Sequence, residues 1–167
     1  MHKRMRIAYY AFLTVVMMTV IYVFSAQDGT ESEHASLWFL NTRFGMLLIQ
    51  VFPGITGQGP ELDIRKYAHM AEFAALAVPT FLLLREVFLH KKIFLSGFIC
   101  TVFCYLYACT DEIHQAYVPG RCCTFSDTMV DLAGTVIGLL PLILISVLRN
   151  EQNKICREKD SCNSVNS

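Results

Sequence analysis

Four apolar segments dominate the alternation of hydrophobic and polar positions along the chain. They are Ile7–Phe24, Ile64–Leu84, Ile93–Thr110 and Thr128–Leu148. A transmembrane α-helix needs about 20 consecutive, mostly apolar residues, and each segment approaches that length. The pattern therefore predicts an all-α membrane protein built as a four-helix transmembrane bundle.

The first segment resembles a signal peptide in layout but not in length. The basic residues Lys3, Arg4 and Arg6 precede it, as they would in a signal peptide. The apolar core of a signal peptide usually spans only about 7 to 15 residues, and the run from Ile7 to Phe24 is longer. We therefore expect this segment to be retained as the first transmembrane helix.

A short amphipathic helix is predicted between the first and second spans. An acidic, serine-containing loop covers residues 28–33, and in Leu37–Phe52 apolar residues recur with roughly a helical period. Such a segment is expected to lie along the membrane interface, where Trp38 suits the level of the lipid headgroups. Proline and glycine residues between positions 53 and 60 then interrupt any helix.

Composition supports an integral membrane protein of one domain. Hydrophobic residues make up 54% of the 167 residues and charged residues 17%, whereas soluble domains carry about 25% charged residues. No basic patch is interleaved with aromatic residues, so nucleic acid is not an expected partner.

The seven cysteines do not have the spacing of a metal site or a disulfide framework, and no Cys-x-x-Cys motif occurs. Cys100, Cys104 and Cys109 fall within an apolar segment, where packing is the expected role. Only Cys122 and Cys123 are placed to meet an oxidising compartment. We expect neither a metal nor a cofactor.

The distribution of Lys and Arg predicts the orientation of the bundle. The N-terminal leader, the loop over residues 85–92 and the C-terminal tail are rich in these residues, whereas the connections 25–63 and 111–126 contain only Arg43 and Arg121. Because cytoplasmic loops carry the excess of Lys and Arg, both termini are expected in the cytoplasm. We assign residues 7–148 to a transmembrane domain and residues 149–167 to a hydrophilic cytoplasmic tail, expected to be disordered or loosely attached.

This topology brings nearly all the intramembrane polar groups to the outer end of the bundle. The second span runs inward and the third outward, and the fourth begins outside with Asp127 as its expected N-cap. At about 1.5 Å per residue, Glu72 and Asp131 reach similar shallow depths. The predicted outward-facing pocket comprises Lys66, His69, Glu72, Asp111, Glu112, Gln115, Arg121, Asp127 and Asp131.

The charges of this pocket have a structural as well as a functional interpretation. An ionised group at mid-bilayer costs about 2.5 to 3.5 kcal/mol on insertion scales, so pairing would be favoured. Lys66 and Arg121 could each neutralise one acid, which leaves up to three acids unbalanced. Internal ion pairing and a binding role both remain open at this point.

Several short motifs together resemble the VanZ-like family. They are Phe24-Ser25-x-Gln27, Arg65-Lys66-x-x-His69-x-x-Glu72-Phe73, Asp111-Glu112-x-x-Gln115, Pro119-Gly120-Arg121, Asp127 and Gly134-x-x-x-Gly138. The resemblance covers roughly residues 7 to 148. It implies a bacterial cytoplasmic-membrane protein of the cell envelope, from a family named after a protein of a glycopeptide-resistance gene cluster and linked to low-level teicoplanin resistance. Cys122-Cys123 and Asp131 depart from the usual family pattern.

Three functional hypotheses follow. In the first, the pocket binds an envelope lipid, a lipid-linked cell-wall precursor or a lipoglycopeptide, with Arg121 and Lys66 holding phosphate or carboxylate. In the second, His69 with Glu72, or Asp111 with Glu112, performs acid–base or metal-assisted chemistry on such a molecule.

In the third, the chain is a transporter or a structural subunit of an envelope complex. It would then form homo- or hetero-oligomers through Gly134 and Gly138, since such a face admits close helix approach. Transport by this chain alone is not expected, because the inner half of the bundle lacks a polar path and the chain has no internal repeat.

Overall fold

The computed structural model describes residues 2–51, 54, 59–88, 92–121 and 124–165, with side chains as far as residue 156. The described residues form six helices and no strand. They are α1 (Lys3–Ser25), α2 (Gly29–Leu40), α3 (Arg43–Val51), α4 (Pro60–Val87), α5 (Ile93–Gln115) and α6 (Phe125–Val165). Four of them, α1, α4, α5 and α6, are long and apolar enough to cross a membrane. The predicted all-α class and the four membrane-spanning helices are confirmed.

The second and third spans are longer than their apolar segments indicated. Helix α4 begins at Pro60, four residues before Ile64, because proline suits the first helical position and the acids Glu61 and Asp63 lie favourably in the first turn. Helix α5 continues beyond Thr110 to Gln115. Polar residues at both helix ends therefore belong to the spans.

The connection between α1 and α4 differs from the prediction. The expected acidic loop is helical, because the Asp28 side chain caps α2 by accepting a hydrogen bond from the Glu31 backbone N–H at 2.8 Å. This bond and one from the Thr30 hydroxyl hold the pKa of Asp28 below its ordinary value.

The predicted single helix Leu37–Phe52 is wrong in extent. Helix α2 ends at Leu40, and a separate helix, α3, begins at Arg43. In its first turn the Gly45 N–H donates to Thr42 Oγ1 at 3.0 Å. Trp38 is 73% exposed, and its position at the headgroup level stays a prediction. Phe52 and most of the predicted helix-breaking segment lie outside the described residues.

Helix α6 differs from two further expectations, one about its N-terminus and one about the C-terminal tail. Asp127 is not the N-cap but lies in the first turn of a helix that begins at Phe125, where its Oδ2 accepts from the Thr124 hydroxyl at 2.7 Å. The backbone of the tail is helical as far as Val165, because no glycine or proline follows Leu148 to end the helix. The assignment of residues 149–167 to a separate cytoplasmic tail stays a prediction.

Helix α4 is the centre of the bundle and contacts all five other helices. Its residues Phe73, Leu76, Ala77 and Phe81 are fully buried. They pack in one apolar cluster with residues from α1, α5 and α6, including Cys100 and Cys104, whose predicted packing role is confirmed. Van der Waals packing of these side chains holds the helices together, because lipid chains are as apolar as the cluster and supply no hydrophobic driving force between helices.

The glycine face of α6 packs against α4 of the same chain. A Cβ atom added at Gly134 would overlap the backbone carbonyl of Met70, and one at Gly138 would overlap that of Ala74. The predicted close helix approach thus occurs within the chain, and the surface proposed for oligomer contacts is already in use. Association of chains stays a prediction.

The helices run up and down so that the bundle has two distinct ends. The polar end contains the C-termini of α1 and α5 and the N-termini of α4 and α6, joined by bonds such as Ser25 to Asp111. The opposite end contains the N-terminus of α1, where Arg6 Nε lies 3.2 Å from Glu86 Oε1 of α4. His90 and Lys91 of the basic loop lie outside the described residues.

Candidate functional site

A cavity of about 380 Å³ opens at the polar end between α4, α5 and α6. Five of the predicted pocket residues line it, namely Lys66, His69, Gln115, Arg121 and Asp127. We call this space the polar cavity. Its volume falls within the range of about 300 to 1,000 Å³ that is usual for small-molecule sites.

A second cavity of about 450 Å³ lies beside it, between the end of α1, the helices α2 and α3, and the first half of α4. Its walls are largely apolar and include Phe24, Phe39, Phe44 and Leu48. Among the predicted pocket residues, Glu72 lines this second space but not the polar cavity. We call it the apolar groove.

Three polar residues form the boundary between the two spaces. Arg65, His69 and Arg121 each line both the polar cavity and the apolar groove. The two spaces therefore adjoin along a charged edge, and one molecule could occupy both.

Asp111 lies behind the cavities rather than in their walls. Only 4% of its surface is exposed, and its Oδ2 accepts hydrogen bonds from Ser25 Oγ at 2.9 Å and Gln115 Nε2 at 2.8 Å. Asp111 thus ties the end of α1 to the end of α5 and orients Gln115 in the polar cavity. Buried acids of this kind need such donors, because an unpaired buried charge is costly.

Glu112 and Asp131 also line neither cavity. Glu112 Oε1 accepts from the Thr124 backbone N–H at 2.6 Å and so holds the residue before α6 to the end of α5. Asp131 is 2% exposed and faces His69 across 3.8 Å. The predicted pocket set is thus divided between wall residues and the buried residues behind them.

His69 occupies the middle of the arrangement. Its Nδ1 lies 3.9 Å from Glu72 Oε2 and 3.8 Å from Asp131 Oδ1, both too long for a direct hydrogen bond. Within the described part of the chain this buried nitrogen has no hydrogen-bond partner. A polar group in either cavity could satisfy it.

The cations differ in how far they are paired. Lys66 Nζ lies 2.9 Å from Asp127 Oδ1, so this pair neutralises itself. Arg121 Nη2 donates to the Phe24 carbonyl at 3.4 Å, whereas its Nε and Nη1 are buried without a hydrogen-bond partner among the described residues. Burial and, to a smaller extent, the nearby Arg65 lower the pKa of Arg121 to about 10, so the group remains protonated at neutral pH. Arg121 therefore keeps a charged guanidinium that no described carboxylate neutralises by direct contact.

Arg65 is a wall residue that the sequence prediction of the pocket omitted. Arg65 precedes Lys66 in the family-like motif, but the pocket was predicted from residues at intervals of three, namely Lys66, His69 and Glu72. The spacing of four from Arg65 to His69 and three from His69 to Glu72 follows a helical face more closely. That spacing is the signal that could have identified Arg65.

Metal binding has little geometric support in the described residues. Across the described ranges, no group of three or more His, Cys, Asp or Glu side chains is arranged to hold a metal ion. Cys122 and Cys123, which were placed at the outer end, lie outside the described residues.

Comparison with known proteins gives one match. A protein-family model described as VanZ/LLP1 matches residues 10–147, which covers most of α1, both connecting helices, α4, α5 and most of the apolar part of α6. No curated protein and no solved structure matches the chain.

Proposed function

The chain belongs to the VanZ-like (VanZ/LLP1) family of membrane proteins, and we propose that it binds the anionic headgroup of an envelope amphiphile in its polar cavity. The ligand classes are an envelope lipid, a lipid-linked cell-wall precursor or a lipoglycopeptide. Binding would in turn alter susceptibility to glycopeptides such as teicoplanin.

The available guanidinium of Arg121 carries this proposal. Arg65, Lys66 and Arg121 all line the polar cavity, and Asp127 neutralises Lys66 alone by the 2.9 Å contact. Arg121 keeps Nε and Nη1 unpartnered among the described residues. Two parallel hydrogen bonds to a phosphate or carboxylate use one edge of the guanidinium, either Nε with Nη2 or Nη1 with Nη2. An anionic group would therefore satisfy one of the unpartnered atoms together with Nη2.

The polar end is proposed to face outward from the cytoplasmic membrane. Lys3, Arg4 and Arg6 lie within the first four residues of α1 at the opposite end, and the positive-inside rule predicts that this end faces the cytoplasm. A fluorescent protein fused after Ser167 should fluoresce, and alkaline phosphatase fused there should be inactive. An active phosphatase fusion would contradict this orientation.

The binding test compares Arg121→Gln with Arg43→Gln in the full chain. Arg43 is an exposed arginine in the other outer connection and lines neither cavity, so it is a matched control. Phosphatidylglycerol provides an anionic phosphate headgroup and phosphatidylcholine a zwitterionic one. Affinity for phosphatidylglycerol should fall about tenfold or more in Arg121→Gln, since hydrogen bonds to charged groups contribute about 1.5 to 3 kcal/mol.

Affinity in Arg43→Gln should equal that of the unmodified chain, and phosphatidylcholine should bind weakly to all three. Equal affinity of Arg121→Gln and Arg43→Gln for phosphatidylglycerol would overturn the assignment. Cells that express Arg121→Gln should likewise lose any teicoplanin resistance that the unmodified protein confers.

Acid–base chemistry on the bound molecule is the second candidate function, and the position of His69 favours it. Its unpartnered Nδ1 lies between two carboxylates, and the residue lines both cavities. Positioned histidines are the commonest general acids and bases. Mass spectrometry of lipid extracts incubated with the unmodified chain and with His69→Gln would reveal a His69-dependent product, and its absence would leave binding as the function.

A further inference from the structure

We propose that the apolar groove holds the hydrocarbon chain of the same lipid whose anionic headgroup occupies the polar cavity. The protein would then recognise a tailed anionic lipid from the membrane rather than a soluble anion. This inference rests on the proposed function of the polar cavity and adds the second half of the ligand.

The shared boundary of the two spaces is the first argument. Arg65, His69 and Arg121 line both spaces, and the walls change from charged on one side to largely apolar on the other. An amphiphile changes from charged to apolar at the junction of headgroup and chain. The groove therefore begins where the chain of a lipid would leave a phosphate bound to Arg121.

The outer wall of the groove is a helical hairpin that presents aromatic side chains. Phe39 of α2 and Phe44 of α3 pack edge to face, with ring centroids 5.9 Å apart at an interplanar angle of 83°. Gly45 makes the sharp turn possible, because a Cβ atom there would overlap the Phe39 carbonyl. The hairpin thus has a fixed apolar inner face opposite α4, suited to a hydrocarbon chain.

The same hairpin is attached to the loop that carries Arg121. The Gly29 N–H, at the start of α2, donates to the Pro119 carbonyl at 3.0 Å. Gly120 adopts a φ of +75°, a conformation that glycine tolerates and that allows the loop to approach Gly29 closely. Headgroup and chain sites therefore belong to one connected unit.

A lipid chain fits the groove better than a helix of a partner protein. A partner helix with an apolar face would enclose Arg65, His69 and Arg121 at the boundary without supplying an anion. Charged groups enclosed in an apolar setting are costly unless paired. A single anionic lipid satisfies the apolar wall and the charged edge together.

Photo-crosslinking of the full chain in phosphatidylcholine liposomes tests the placement of the chain. The probe is phosphatidylglycerol with a diazirine in one acyl chain, and phosphatidylcholine with the same diazirine is its matched control. Ala71→Trp would fill the groove, whereas Ala75→Trp adds the same bulk one turn further along α4, at an exposed position that lines neither cavity.

In the unmodified chain, the phosphatidylglycerol probe should label peptides that contain Phe39, Phe44 or Leu48 well above the phosphatidylcholine background. That labelling should fall about tenfold in Ala71→Trp and in Arg121→Gln, and it should be unchanged in Ala75→Trp.

The experiment distinguishes failure of the chain site alone from failure of both sites. Arg121-dependent phosphatidylglycerol binding with equal groove labelling in Ala71→Trp and Ala75→Trp would overturn the chain site and leave the headgroup site intact. Equal labelling by both lipids together with Arg121-independent binding would overturn both.

Discussion

Helices α4 and α6 meet along one seam, yet the two halves of that seam are built differently. In the deeper half, Gly134 and Gly138 bring the backbones into direct contact at Met70 and Ala74. Toward the polar end, the Lys66–Asp127 ion pair joins the same two helices, and both residues line the polar cavity.

The difference shows how a small bundle can hold a site at one end. Close backbone contact in the deeper half leaves no room for a ligand and fixes the helix spacing. The half toward the polar end is then free to carry the charged residues that line the polar cavity. We therefore expect substitutions in the deeper half to affect folding and those around the cavity to affect binding.

The largest effect on stability is expected from Gly134→Leu. The added side chain would have to enter the backbone of α4 at Met70, and overpacking of a core costs about 1 to 3 kcal/mol even where only side chains must move. A loss of at least about 3 kcal/mol should appear as a sharply lower unfolding temperature and reduced yield of folded protein.

Ala133→Leu is the matched control, because Ala133 is exposed on the adjacent position of α6. Its unfolding temperature should stay close to that of the unmodified chain. Equal effects of the two substitutions would mean that the glycine contact does not hold the seam.

A moderate effect is expected from Ser25→Ala. The fully buried Ser25 hydroxyl donates to Asp111 Oδ2, and its removal leaves that acid with one donor fewer behind the cavity. Loss of such a bond to a charged group should cost about 1.5 to 3 kcal/mol in thermal unfolding. Thr19→Ala removes an exposed hydroxyl that bonds only within its own helix, and it should have a much smaller effect.

The smallest effect is expected from the Lys66–Asp127 pair. The two side chains are 23% and 33% exposed, so water and salt screen their attraction. A double-mutant cycle with Lys66→Gln and Asp127→Asn should give a coupling energy of about 0.2 to 1 kcal/mol that shrinks as salt is added. A coupling above that range would show that the charged half also holds the seam together.

Hydropathy was sufficient to predict the four spans but not the connection between α1 and α4. Apolar length identifies a membrane helix, because the bilayer requires about 20 such residues. The start of α2 depends instead on capping by Asp28, and the break between α2 and α3 depends on capping by Thr42 and the close approach at Gly45. These contacts form only in the folded hairpin, so the periodic pattern alone predicted one continuous helix where the structure has two.

The sequence predicted that the polar residues of the candidate site lie together at one end of the bundle, but not which of them line the cavities and which lie buried behind the walls. Topology alone brought the polar residues to one end, because helix ends on the same side of a bilayer must meet. The sequence could not show that Asp111, Glu112 and Asp131 lie behind the walls, since depth depends on helix rotation. Arg65 was missed for a different reason, because the pocket was predicted at intervals of three rather than at the four-three spacing of a helical face.

Contact between Arg121 and a lipid phosphate can be measured directly by solid-state NMR in phosphatidylcholine liposomes that contain phosphatidylglycerol. Dipolar coupling between phosphorus and ¹⁵N-labelled arginine side chains reports such contact. The coupling should be present in the unmodified chain and in Arg43→Gln, and it should be largely lost in Arg121→Gln. Coupling that persists undiminished in Arg121→Gln would contradict the binding of an anionic headgroup at Arg121.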